Sequence, residues 1–139
     1  MHYLTFTFDF NAFHKMWNST LPKSDNEAIF GKCSNSSGHG HCYRLEITVK
    51  GTVSGDKPFL ISNREIDRVK TRVLEQKLAY SNLNKAFGSN FISSGENIAK
   101  EVWEILVSEF DAGTELSAVK VIETRKNSFI YRKDVAVLP

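Results

Sequence analysis

The chain is 139 residues long, 41% hydrophobic, with a formal net charge of +2, which is one domain's worth of sequence with enough apolar content for one core. Its charge is nearly balanced and no five or six basic residues run together, which argues against nucleic acid and against a polybasic membrane patch as partners. No window approaches the ~18 apolar residues of a membrane span, the start lacks the basic and apolar regions of a signal peptide, and two cysteines are too few for a disulfide scaffold. The expectation is a cytoplasmic protein with free thiols and a single domain over 1–139.

Tyr3 to His14 alternates aromatic and polar residues, the mark of a strand with one buried face. Residues 15–38, rich in Ser, Asn, Gly and Lys, read as a long loop of the kind that carries a site. From His41 the alternation resumes, with Tyr43, Leu45, Ile47 and Val49 on one face and Arg44, Glu46, Thr48 and Lys50 on the other. Ser54 to Pro58 is a turn. Ser62 and Glu65 form a capping box that opens a helix with apolar positions at Ile66, Val69, Val73 and Leu74. A second box, Ser93 to Glu96, opens another helix, whose stripe is Ile98, Val102, Ile105 and Leu106, with Trp103 near its edge. Strands over Ala118–Thr124 and Ser128–Val135 close the chain. The order β-β-α-α-β-β predicts an α+β fold: a four-stranded antiparallel sheet with both helices on one face. Its two open edges invite edge-to-edge assembly.

Of the four histidines, His39 and His41 flank Gly40 where a strand begins, and His14 ends the first strand. Residues i and i+2 of a strand share a face, so both imidazoles of the pair can reach one ion. Gly40 would let the backbone pass closely. Three neutral imidazoles with an open fourth position are a catalytic zinc arrangement. Two other readings stand beside it: a surface His-Gly-His turn, and a structural zinc with Cys33 as fourth ligand.

Around these histidines the sequence resembles a known family. Phe10-Asn11-Ala12-Phe13-His14-Lys15 is similar to the F-x-A-x-H opening of the 6-pyruvoyl-tetrahydropterin synthases, and the run from Phe30 to Tyr43 to their F-G-K-C-x-x-x-x-G-H-G-H-x-Y signature. Leu83-Asn84, Glu96 to Ala99 and Val121 to Thr124 fall where the family has its later motifs. The long loop resembles the pyruvoyl branch more than the 6-carboxytetrahydropterin synthases. The resemblance implies the tunnelling fold (T-fold), assembled as a homohexamer of two stacked trimers with active sites between subunits. It implies a zinc-dependent lyase that converts 7,8-dihydroneopterin triphosphate, a reduced pterin, with loss of triphosphate. Zinc (Zn2+) would lie on His14, His39 and His41. Cys33 matches the proton-abstracting cysteine, Glu123 the pterin anchor, and Ser94 a threonine near the pterin.

One departure bears on the chemistry. Where the family reads L-D-H-x-x-L, this chain has Leu78-Ala79-Tyr80-Ser81-Asn82-Leu83, so Ala79 and Tyr80 replace the Asp and His that complete the cysteine's triad. A thiol of pKa near ~8.5 needs help to ionise, and Tyr80, a phenol near ~10, is the residue left to pass the second proton. Losing a general acid–base partner typically costs ~10²–10⁴-fold. The sequence therefore leaves three alternatives: the synthase reaction using Tyr80; altered chemistry, such as side-chain cleavage of a dihydropterin or 6-carboxytetrahydropterin synthase activity; or a non-catalytic pterin-binding relative. Cys42 stands on the strand face opposite His41 and reads as a packing residue.

Overall fold

Strand β1 (His2–His14) pairs antiparallel with β2 (His39–Gly51) over the full length of both, so that His14 lies opposite His39 and Ala12 opposite His41. This computed structural model describes residues 1–35, 38–88 and 90–133. Strands β3 (Thr114–Ile122) and β4 (Ser128–Tyr131) extend the sheet in the order β1-β2-β3-β4, antiparallel throughout. A bulge between Thr48 and Val49 shifts the β2–β3 register by one residue. The expected final strand ran to Val135, but Asp134 and Val135 lie outside the described residues. The expected third strand began at Ala118; it begins instead at Thr114, because Thr114 and Leu116 alternate inward with Val119 and Val121 once the bulge is counted.

The period-two pattern sorts the sheet as anticipated. Tyr43, Leu45, Ile47 and Val49 are fully buried, while the opposite face carries Thr5 against Thr48, Asp9 against Arg44 and Glu46 against Lys120. Helices cover only the apolar face. Helix α2 (Asn63–Lys70) opens on the anticipated capping box, with Glu65 N donating to Ser62 Oγ and Ser62 N donating to Glu65 Oε2. It runs on as a π-helical stretch, Thr71–Leu78. Val69 of α2 and Val73, Leu74 and Leu78 of the π-helical stretch join one core with the sheet.

Helix α4 (Gly95–Leu106) begins one residue later than its expected box. Its cap is Ser94, which accepts from Asn97 N, and Ser93 is turned inward instead. Gly95, Ile98, Ala99, Val102, Trp103 and Leu106 are its buried residues and Ile105 is partly buried, so Trp103 sits within the stripe and not at its margin.

Two further helices were not anticipated: α1 (Lys23–Phe30) and the short α3 (Leu83–Ala86). The first lies inside the segment expected to be loop. Its organiser is Asn26, fully buried, whose side chain bonds Asn18 N and O, Leu21 O and Pro22 O. One amide thus satisfies most of the turn's backbone groups, which lets a polar segment hold a fixed path. After α1, Gly31 takes φ 53 and a 3-10 turn, Gly31–Ser34, carries Cys33.

Candidate metal site

Cross-strand register brings the three histidines together. His14 ends β1 and His39 and His41 begin β2, all on the apolar face. Their ring centroids lie 4.5–5.0 Å apart. His14 is 1% exposed. Its Nδ1 lies 3.0 Å from the Ser93 carbonyl oxygen, which can only accept, so Nδ1 carries the proton and Nε2 presents a lone pair. That Nε2 is 3.1 Å from His39 Nε2.

Glu123 completes the cluster: its Oε1 is 3.1 Å from His41 Nε2 and 3.8 Å from His14 Nε2. The four donor atoms lie within 4.8 Å of one another. His41 Nε2, although close to Glu123, is buried without an aligned hydrogen bond. Converging imidazole nitrogens, one of them orphaned, fit a cation better than they fit one another. The fourth member of the set is a carboxylate, so the Cys33 thiol does not take that place.

Electrostatics keep these rings ready as ligands. Burial pushes His14 down to about 4, helped by His39 and His41 and opposed by the bond to Ser93. Burial also lowers His41, against the pull of Glu123. Both are therefore neutral at pH 7, the form that binds metal. Tyr43, stacked on Phe10 below the cluster, is raised by burial, then by Glu123 and Cys33, and its hydroxyl is buried without a partner.

A cavity of about 230 Å³ opens beside the cluster, lined by His14, Cys33, Ser94, Glu123 and Phe129 among others. Four of the residues expected to form the site thus face one space. Cys33 is held there by its carbonyl, which accepts from Met16 N at 2.7 Å, two residues beyond His14. Ser34 Oγ closes the turn on Gly31 O at 2.7 Å.

Tyr80 is elsewhere. It is 88% exposed with φ 55, beside the outer edge of β1, and its N–H donates to Asn11 O at 2.6 Å. It does not line the cavity. Cys42, expected to pack, is exposed on the other sheet face, where a β2 residue out of step with Tyr43 and Leu45 must point. Both cysteines are free thiols.

Three contributors escaped the sequence reading. Ser93 holds His14. Asn84 grips Lys15 at both ends of its peptide, Lys15 N to Oδ1 and Nδ2 to Lys15 O, each 2.7 Å, and so fixes the chain just past His14. Gly38, at φ +65, passes where a Cβ would sit 2.5 Å from the Phe13 ring and 2.8 Å from His14 O. Gly40 has no such role, since a Cβ there would meet Ala12 O at an ordinary 3.7 Å. The close approach lies two residues earlier than expected.

Residues 3–134 match the family model described as 6-pyruvoyl tetrahydropterin synthase. Among curated proteins, the chain is 33% identical over 132 residues to the 6-pyruvoyl tetrahydrobiopterin synthase of Drosophila melanogaster, covering 94% of this chain and 79% of that one. It is 30% identical over 125 residues to the Homo sapiens protein of the same name, covering 88% and 86%. Among solved structures, the 6-pyruvoyl tetrahydropterin synthase of Caenorhabditis elegans superposes with a TM-score of 0.87 at 29% identity, covering 96% of both chains. The T-fold architecture is therefore shared. Among the described residues no helix is long and apolar enough to cross a membrane.

Proposed function

Because the chain belongs to the 6-pyruvoyl tetrahydropterin synthase family, we propose that it is a zinc-dependent lyase that acts on 7,8-dihydroneopterin triphosphate and releases triphosphate. The observation that carries this reading is the cavity shared by His14, Cys33, Ser94 and Glu123, two of which, His14 and Glu123, also belong to the donor cluster with His39 and His41. Zinc held by His14, His39 and His41 would supply a Lewis acid for the hydroxyls of the pterin side chain.

The chain's own residues supply the rest. Glu123 offers a carboxylate that matches the 2-amino and N3–H edge of a pterin. Ser94 caps α4 and lines the same cavity, where its hydroxyl would lie near the pterin. Cys33 is the group that takes a proton from the side-chain carbon, the triphosphate leaving from the neighbouring position. Hydrogen is only moved within the substrate, so no external electron carrier is needed.

Tyr80 is proposed as the second proton carrier, and its position defines the condition for that role. At the edge of β1 and 88% exposed, it reaches a cavity only in an assembly of copies. A homohexamer built as two trimers, with sites between subunits, meets that condition, and a cytoplasmic setting suits its free thiols. The replacement of the family's Asp-His by Ala79 and Tyr80 gives a second reading, in which the altered pair redirects the chemistry to cleavage of the pterin side chain.

Incubating the zinc-loaded protein with 7,8-dihydroneopterin triphosphate, followed by mass analysis of pterins and free triphosphate, separates the two. A pyruvoyl product with triphosphate release supports the first reading. A side-chain aldehyde supports the second. Intact substrate contradicts both. Tyr80→Phe lowers turnover if the phenol carries a proton; unchanged turnover removes it from the mechanism.

A further inference from the structure

We infer that, with no pterin bound, the Glu123 carboxylate is the fourth ligand of the metal on His14, His39 and His41, and that an incoming side-chain diol displaces it. The inference rests on the metal reading above and deepens it. In that reading the three histidines hold the metal and Glu123 serves the pterin.

Distance is the first argument. Around a zinc ion with bonds of roughly 2.0–2.1 Å, tetrahedral neighbours stand about 3.3–3.4 Å apart. The Glu123 contacts of 3.1 Å to His41 and 3.8 Å to His14 bracket that spacing, as does the 3.1 Å between His14 and His39. The carboxylate already occupies a corner of the donor set.

Charge is the second. Three neutral imidazoles leave both charges of a dication uncompensated, in a place where the His41 and Glu123 side chains are only 19% and 16% exposed. A carboxylate ligand removes half of that charge. Cys33 lines the cavity but stands outside the four-donor group, so Glu123 is the anion in position to do so.

The third argument is that the carboxylate can leave without cost to the fold. Glu123 follows the last residue of β3, at the turn into β4, and its backbone N–H is held by Asn127 O at 3.2 Å. The backbone bond anchors the residue independently of its carboxylate, so that the side chain can turn without breaking it. One movement then has two effects. It opens the metal to the diol, and it releases the carboxylate at the rim of the cavity that receives the pterin ring. Until then, water and small anions are kept off the metal.

Cobalt reports the fourth position through its visible spectrum, so the test uses cobalt-loaded protein titrated with azide, together with zinc affinity against a competing chelator. Glu123→Gln and Glu123→Ala are compared with the wild type, and His39→Ala is the control for the histidine site. Removing the carboxylate weakens zinc binding by about tenfold or more. Azide binds the cobalt form of either variant about tenfold more tightly than the wild type, because the competing ligand is gone. Adding 7,8-dihydroneopterin to the wild type changes its cobalt spectrum. Equal zinc and azide affinities in wild type and both variants, with metal still lost in His39→Ala, would overturn the fourth-ligand role and leave the histidine site standing. A wild type that takes up neither metal overturns both.

Discussion

His14 Nδ1 donates to the carbonyl of Ser93 at 3.0 Å, and this one bond turns His14 Nε2 toward His39. A residue at the head of α4 thereby decides which nitrogen at the end of β1 is available to a metal. The bond comes from the backbone of Ser93, while its hydroxyl stands 3.3 Å from the same nitrogen. Ser93→Ala therefore keeps zinc affinity within about tenfold of the wild type, whereas His14→Ala loses more than the ~10–100-fold typical of an outer-shell partner. Competition with a chelator measures both.

Gly38 and Gly40 separate backbone need from sequence pattern. At φ +65, against Phe13 and His14 O, Gly38→Ala is strained and crowded together. It costs on the order of 1–3 kcal/mol and disturbs the metal site through His14. Gly40→Ala meets only an ordinary contact and leaves metal binding intact. Urea unfolding and zinc titration of the two variants check the contrast.

The Asn84 side-chain amide pairs both the N–H and the carbonyl of Lys15. Asn84→Ala leaves Lys15 N without this partner and Lys15 O with only the long 3.4 Å bond from Ser93 Oγ, and destabilises by about 1–3 kcal/mol. Asn84→Asp keeps the acceptor, loses the donor and falls between. The denaturation midpoints should follow that order.

Glu65 links the start of α2 to the turn after α4, through Ser62 and the backbone N–H of Asp111. Burial raises its pKa, but bonds from Ser62 and Asp111 N–H, the Ser62 hydroxyl and the charge of Lys57 outweigh it, and the net shift is downward. A depressed carboxyl stabilises the fold above its unfolded value, and that contribution is lost as pH falls through the lower, folded value. Glu65→Gln is thus less stable than the wild type at pH 7, and the gap narrows toward pH 3. Urea unfolding at the two pH values reads it directly.

The sheet was legible because its residues alternate cleanly: Tyr43, Leu45, Ile47 and Val49 needed nothing beyond period two. The histidines were legible for the same reason, with register adding His14 to the pair. What escaped depends on contacts remote in sequence. Ser93 resembled a helix cap, and only the fold shows it beneath His14, 79 residues away. Helix α1 was hidden in polar composition because a single buried amide, Asn26, organises it in place of an apolar stripe. Tyr80 occupies the position that the family motif assigned, but position in a motif does not say that the side chain shares a cavity with Cys33 in one chain. Glu123 was legible only through the family resemblance, as a pterin anchor, and its contact with His41 arises where β3 ends beside β2.

The metal content of the protein tests the account most directly. After loading with zinc and removal of unbound metal, the wild type should retain about one zinc per chain, and His39→Ala and His41→Ala should retain none while still folded by circular dichroism. A wild type without bound zinc, or folded variants that hold as much as the wild type, would contradict it.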